Sequence, residues 1–280
     1  MIKFSVITPA YNAEKYIGET IRSIVQQTAF TSGRAELEYL LCDGGSTDAT
    51  CSIAESILKN AKNCTWRIFS QPDSSMYAAI IQGMKQATGE VFAYLNAGDV
   101  LSPNAIEVLT DVFNNPKIRW VTGIKVVIND FSQIIRVRFP YRYRRSFIRK
   151  GYYGEFLPFI QQDACFWRKE LNETLNYELL SDLKLAGDYY LWHRFSTVTD
   201  LFIVNTHISG FRIHPGQKSE DKRAYRREKL TFLNPNLFVL ALDVPVILFD
   251  WLFLFADHIR NHVNRTTLIE FDIKQNKWLL

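Results

Sequence analysis

The chain has only four cysteines, Cys42, Cys51, Cys64 and Cys165, and no two stand in C-x-x-C spacing. A paired-cysteine zinc site or dithiol redox centre is therefore excluded, and free thiols in a reducing cytoplasm are expected. There is no internal repeat and no low-complexity linker, so residues 1 to about 215 are expected to form one body. The N-terminus carries no signal-peptide pattern and runs from Met1-Ile2-Lys3 straight into the apolar run Phe4 to Thr8. What the sequence does have is apolar content, 47% of 280 residues, enough for a packed core without covalent staples. Its net charge of +4 is mild but unevenly placed. Arg136, Arg138, Arg142, Arg144, Arg145, Arg149 and Lys150 follow one another with no acid between them, interleaved with Phe139, Tyr141, Tyr143 and Phe147. No nucleic-acid-binding motif accompanies this stretch, so no nucleic-acid partner is expected.

Hydrophobic patterning gives alternating strands and helices. Phe4 to Thr8 is a strand stopped at Pro9, and Asn12 is placed to cap a helix to about Gln27 with Ile17, Ile21, Ile24 and Val25 inward. Glu38 to Cys42 is a second strand, and the turn Asp43-Gly44-Gly45-Ser46-Thr47-Asp48 leads to a second helix. A third strand, Trp66 to Ser70, and a loop through Asp73 precede a helix from Met76 to Thr88, for which Gly89 suits a left-handed cap. Val91 to Leu95 is a buried strand that delivers Asn96-Ala97-Gly98-Asp99. Asp99 at a strand end is either a ligand for an oxygen-preferring cation or the cap of the helix after Ser102-Pro103. Beyond that helix, Trp120 to Ile128 and Ile134 to Phe139 read as an antiparallel pair around Asn129-Asp130. The order predicts an α/β fold with a mostly parallel sheet covered on both faces and ligands beyond the carboxyl ends of the strands.

The succession Thr8-Pro9-Ala10-Tyr11-Asn12, Asp43 to Asp48, Asn96 to Asp99 and Ala186-Gly187-Asp188-Tyr189 resembles the family 2 inverting glycosyltransferases of the GT-A fold, over roughly residues 3 to 219. The resemblance implies a Rossmann-like nucleotide-sugar half over 1–115 and an acceptor-side half over 116–219 with a smaller antiparallel region; beyond it, the composition of 220–280 gives a basic segment and an apolar helix. It implies transfer of a sugar from a UDP, GDP or dTDP sugar to a hydroxyl of a glycan acceptor, in assembly of a bacterial surface polysaccharide. By matching motif it assigns nucleotide-sugar binding to Thr8, Pro9, Tyr11, Asn12, Asp43, Asp73, Asn96 and Gly98. It makes Asp99 the ligand of a divalent metal, Mg2+ or Mn2+, with His214 approaching the metal or diphosphate. Asp188 becomes the general base, Arg212 or Lys218 pairs with phosphate, and Gln161, Gln162 and Asp163 line the acceptor side. Four positions depart from the family's usual acids: Asn96 and Gly98 before Asp99, Ala78 in the third helix, and Gly187 beside Asp188. A nucleotide-sugar-binding module without transfer activity is the alternative that these departures leave open.

Leu237 to Ala256 is almost wholly apolar and as long as a membrane span, yet Asp243, Asp250 and, just beyond it, Asp257 recur every seven residues on one helical face. Each carboxylate at a bilayer centre costs about 2.5–3.5 kcal/mol even on the lenient insertion scale. A helix lying on an anionic cytoplasmic membrane surface is expected, next to a basic segment through Lys222, Arg223, Arg226, Arg227 and Lys229. A homo-oligomer contact is the second reading of the same helix. A polyprenyl-diphosphate-linked acceptor, its phosphates meeting Arg142, Arg144 or Arg145, fits the membrane reading.

Overall fold

The computed structural model describes residues 1–138, 143–214, 217, 221–233, 237–253 and 267–280. The strands are β1 (Ile2–Ala10), β2 (Ala35–Asp43), β3 (Cys64–Ser70), β4 (Val91–Tyr94), β5 (Val100–Leu101), β6 (Trp120–Ile128), β7 (Ile134–Arg138), β8 (Phe166–Arg168), β9 (Phe202–His207), β10 (Ser209–Arg212), β11 (Leu268–Asp272) and β12 (Lys277–Leu279). The helices are α1 (Ile17–Val25), α2 (Thr28–Thr31), α3 (Thr50–Leu58), α4 (Met76–Gln86), α5 (Ala105–Phe113), α6 (Arg145–Lys150), α7 (Tyr177–Asp182), α8 (Gly187–Phe195), α9 (Lys222–Phe232) and α10 (Leu237–Phe253).

The central sheet runs β12-β11-β9-β6-β8-β4-β1-β2-β3. Pairing is parallel along β4-β1-β2-β3 and along β6-β9-β11, and the short β8 lies antiparallel between β4 and β6. The expected antiparallel pair forms as β6 with β7. Period-2 alternation sorts each central strand between two cores. Phe4, Val6, Leu37, Tyr39, Leu41, Val91 and Ala93 meet α1, α3 and α5 on one face. Ile7, Leu40, Cys42, Phe92 and Tyr94 meet α4 and α8 on the other. Phe4 sits edge-on to Phe30, Phe113 and Phe166, each such contact contributing about 0.5–1.5 kcal/mol beyond area burial.

Register levels the strand ends that carry the site. Ala10 pairs with Asp43 and Asp43 with Ser70, while Leu95 N–H donates to Ile7 O at 2.9 Å. β10 returns antiparallel to β5 and parallel to the end of β6, which brings Arg212 beside Asp99.

Two local expectations are corrected. Asn12 does not cap α1: it adopts φ 47° and its Oδ1 accepts from Thr47 N at 2.9 Å, tying the loop after β1 to the loop after β2. Gly89 is not a left-handed cap, since α4 ends at Gln86 on an extended Ala87. A Cβ at 89 would lie 2.5 Å from Ser5 Oγ and 2.7 Å from Lys3 O, so close approach to β1 is what requires glycine there.

Residues after 219 supply more than a helix. β11 joins the central sheet beside β9, and α9 packs on α8. On α10, Asp250 is fully buried against Arg144 (Nε to Oδ2 2.8 Å, Nη2 to Oδ1 2.7 Å), and Asp243 accepts from Lys150 Nζ at 2.6 Å and Tyr152 OH at 2.8 Å. The seven-residue spacing thus turns both carboxylates to one partner surface; Asp257 lies outside the described residues. Among the described residues no helix is long and apolar enough to cross a membrane.

Candidate functional site

At the end of β2, Asp43 is buried, and its carboxylate accepts from Gly45 N (3.2 Å), Ser46 N (3.0 Å), Ser70 Oγ (2.7 Å) and Ser46 Oγ. These donors hold its carboxyl below the usual range against the opposing effect of burial, which is the largest single influence. Oδ2 takes three of these donors and Oδ1 one, the Ser46 hydroxyl, so a ligand reaches Asp43 through Oδ1 or by exchanging with the Ser46 or Ser70 hydroxyl. Asp73 lies against the same turn, its Oδ2 only 3.0 Å from where a Cβ on Gly44 would stand. Tyr11 is exposed at the end of β1, whereas the Thr8 side chain is fully buried in the sheet and offers a ligand no surface. Pro9, also buried, pairs with Cys42 in register.

The turn after β4 is held from three sides. Gly98 N donates to Thr20 Oγ1 (2.9 Å), which in turn donates to Asp99 O (2.8 Å). Gln162 bridges Asn96 Nδ2, at 3.1 Å, and Tyr94 O. Gly98 takes φ +124°, a conformation that strains any L side chain. Asp99 is 3% exposed; Oδ1 accepts from Arg212 N at 2.9 Å, and Oδ2 is buried with no hydrogen-bond partner. Asn96 Oδ1 is a second buried oxygen of this turn with none. Burial, with the charge of Asp163 added, pushes the Asp99 carboxyl well up. Asp163 is itself buried, Oδ2 accepting from Gln161 Nε2 (2.8 Å) and Ser209 Oγ. Gln161 also donates to Val126 O at 3.1 Å, so Gln161 and Gln162 join the Gln162–Ala164 turn to β6 and β4.

Two unpartnered oxygens on one turn suit a hard cation that takes its remaining oxygens from a diphosphate. Among the described residues no three His, Cys, Asp or Glu side chains converge as a metal cluster. His214 stacks on Tyr16 (5.4 Å between centroids, 23°), whose Cβ lies 3.9 Å from the Cβ position of Gly98, so it approaches the turn across that ring.

The expectation for Arg212 is corrected. It is 1% exposed, and its guanidinium donates to Gly98 O (2.7 Å), Asn129 O (2.8 Å), Glu19 Oε2 (2.6 Å) and Ser132 Oγ (3.0 Å). It is a strut between α1, the β6–β7 turn and the Asp99 turn, with four of its five guanidinium N–H donors engaged in holding them. Lys218 lies outside the described residues. Arg144 and Arg145 are likewise engaged, the first with Asp250 and the second with Ser196 O and Thr197 O; Arg142 lies outside the described residues.

Asp188 opens α8. Its Oδ1 accepts from Tyr189 N (2.7 Å) and Tyr225 OH (3.0 Å), its N–H donates to Tyr77 OH (3.1 Å), and Oδ2 accepts no hydrogen bond among the described residues. Burial raises its carboxyl to about 6, against the lowering effect of the Tyr189 N–H, the Tyr225 hydroxyl and the Lys229 charge. The Tyr77 ring lies on Gly187, 2.6 Å from where a Cβ would stand, so that ring occupies the space of the family's neighbouring acid.

Sequence reasoning missed the support of this carboxylate. Glu228 accepts from Lys184 N (2.6 Å), Leu185 N (2.7 Å) and Ala186 N (2.5 Å), three successive amides leading into α8. Lys229, buried in the last turn of α9, donates to Gly151 O at 2.8 Å and Tyr153 O at 3.3 Å. The available signal was the spacing Tyr225, Glu228, Lys229 on one face of a helix otherwise rich in arginine.

A model described as Glycosyl transferase family 2 matches residues 5–175. An uncharacterized glycosyltransferase of Haemophilus influenzae is 27% identical over 267 residues, covering 87% of this chain and 77% of the relative. Glycosyltransferase GlyG of Streptococcus pneumoniae is 24% identical, covering 84% and 69%. The crystal structure of S. aureus TarS in complex with UDP-GlcNAc superposes with a TM-score of 0.58 at 17% identity, over 79% of this chain and 61% of that one. The chain thus spans less than two thirds of the TarS chain, and a likeness at that identity carries the fold alone.

Proposed function

This chain belongs to glycosyl transferase family 2, and from that premise we propose that it moves a sugar, with inversion, from a nucleotide-diphosphate sugar to a hydroxyl of a glycan acceptor. The observation that carries the reading is Asp188: a carboxylate with one oxygen fixed by two donors, the other open, and a proton affinity raised to about 6 by burial. A base poised just below neutral pH is ionised when the acceptor arrives and still draws a proton as the transition state forms. Asp188 Oδ2 takes the acceptor proton while the acceptor oxygen bonds to the anomeric carbon. The bond from that carbon to the diphosphate oxygen breaks on the opposite face, and the nucleoside diphosphate leaves.

The donor lies across the level strand ends. Tyr11 offers an exposed ring to the base, and Asp43 with Asp73 offers carboxylates to base N–H or ribose hydroxyls. Asp99 Oδ2 and Asn96 Oδ1 would hold Mg2+ or Mn2+, with His214 at the margin of the site. When bound, the ion neutralises charge on the departing diphosphate.

The protein works at an anionic membrane surface on the cytoplasmic side, in assembly of a surface polysaccharide. Pairing of Asp243 and Asp250 inward leaves Leu242, Leu248, Trp251 and Leu252 of α10 exposed, with the arginines of α9 nearby in sequence. Because β11 belongs to the central sheet, the appropriate test is Leu248→Ser with Leu252→Ser in liposome flotation, not truncation. Unchanged binding to anionic vesicles together with loss of a dimer would assign the face to a second copy instead.

Calorimetric titration with UDP, GDP and dTDP, with and without Mn2+, tests the donor site. Asp188→Asn should retain nucleotide binding and lose both transfer and donor hydrolysis. Wild-type binding without turnover on any acceptor would favour a nucleotide-sugar-binding module.

A further inference from the structure

Four cations gather beside the site with no ion pair among the described residues. In the β6–β7 register Lys125 is paired with Arg138 and Val127 with Arg136, so Lys125, Arg136 and Arg138 project from one face of the ribbon. Lys222, the first residue of α9, is close enough that its charge, with those of both arginines, disfavours the protonated Lys125. Like charges directly opposite on a sheet are destabilising, and Lys125 is also half-buried. Among the described residues none of the four forms an ion pair, although eleven such pairs are made elsewhere. The acid that acts on Lys125 is Asp163, which is buried and already bound to Gln161 and Ser209.

Position ties the cluster to the reaction. Lys125 neighbours Val126, whose carbonyl accepts from Gln161, and Lys222 stands one helical turn before Tyr225, which donates to Asp188. An anion held there lies on the acceptor side of the base. Arg136 and Arg138 are exposed on an edge strand, so the ligand can be long and enter from solvent. A carboxylate would satisfy one such cation, whereas a group with several anionic oxygens matches guanidinium forks and two ammonium groups at once.

We propose that Lys125, Arg136, Arg138 and Lys222 form a phosphate subsite for the acceptor, so that the hydroxyl offered to Asp188 belongs to a phosphate-bearing molecule. This rests on the reading of Asp188 as the base. The phosphate is either the diphosphate of a prenyl-linked glycan or the repeating phosphodiester of a polyol-phosphate chain.

The test is calorimetry at about 0.1 M salt, where exposed charges beyond about 10 Å are screened. The probes are farnesyl diphosphate and a glycerol-phosphate oligomer, with farnesol and glycerol as uncharged controls. Wild type should bind one of the two phosphates and neither control, and which one it binds identifies the source. Arg136→Ala with Arg138→Ala should weaken that binding by about tenfold or more, the equivalent of one charge-assisted hydrogen bond. Lys59→Ala with Lys62→Ala, the same loss of charge elsewhere, should change it less than twofold. Nucleotide titration of the same variants should be unaltered. Failure of wild type to bind either phosphate, or equal weakening by both double variants, would overturn the subsite. Loss of nucleotide binding in wild type would instead strike the donor reading and leave the phosphate titration to be judged separately.

Discussion

Removing one hydroxyl tests how Asp188, the proposed base, is held. Tyr225→Phe deletes the donor to Asp188 Oδ1 at 3.0 Å and leaves the ring, which packs edge-on against Phe159 at 5.5 Å. The groups facing Asp188 are Tyr77 from α4, Tyr94 from β4, Cys165 before β8, Tyr189 from α8, and Tyr225 and Lys229 from α9. Tyr225 and Lys229 both favour the ionised carboxylate, so losing the hydroxyl raises Asp188 further above its present value of about 6. A net hydrogen bond to a charged group is worth about 1.5 kcal/mol at the low end, or roughly one pK unit. Ionised base at pH 6 then falls from about half to about a tenth, a fivefold loss, while at pH 8 it falls only from about 99% to about 91%. The assay is kcat against pH between 5 and 9 with saturating donor. A loss of equal size at pH 6 and pH 8 would refute the reasoning, because it would mean that Tyr225 supports the fold and not the proton affinity of Asp188.

Asp99→Ala removes the unpartnered Oδ2 and should abolish any Mn2+-dependent increment in nucleotide affinity, read by calorimetry with and without the metal, while metal-free binding persists. Gly187→Ala drives a methyl into the Tyr77 ring and should lower stability by about 1–3 kcal/mol in urea unfolding, with loss of transfer as Tyr77 and Asp188 are displaced. Asp250→Ala leaves the Arg144 guanidinium largely buried and should cost about 3 kcal/mol. Asp243→Ala, at a more exposed pair, should cost about 1 kcal/mol or less in the same assay.

The parts of the fold legible in the sequence are those whose cause is local. The apolar runs of β1, β2 and β4 and the 3.6-residue repeat of α1 and α5 are properties of short windows, and each element formed within a few residues of its expected span. Placing Thr8-Pro9, Asp43 and Asp99 at one edge followed from a rule of topology, that parallel strands end together, whereas Tyr11, Asn12 and Asp73 came only from the resemblance to the family. What could not be read was where long side chains find partners. Arg212 looks like a phosphate ligand from its neighbours in sequence, yet its four guanidinium bonds go to Ser132, Asn129, Gly98 and Glu19, between 80 and 193 positions away. Tyr225 and Glu228 looked like part of a basic tail because their partners, Asp188 and the amides of 184–186, lie some forty positions upstream.

The same geometry weighs two of the missing acids. Had Gly98 and Gly187 been open positions, their lack of carboxylates would favour a protein that binds a nucleotide sugar without transferring it. Gly98 instead sits at φ +124°, held by Thr20 and Arg212, and Gly187 lies under a tyrosine whose hydroxyl accepts from the Asp188 amide. Gly98 is required by its backbone conformation and Gly187 by the ring above it, and each stands beside the remaining acid, Asp99 in one case and Asp188 in the other. A binding module has no use for the second arrangement, since a carboxylate with one free oxygen and a raised proton affinity is costly to bury. The cost makes sense where a proton has to move, and substituting Gly187→Asp should therefore reduce transfer, by displacing Tyr77, more than it restores any family likeness.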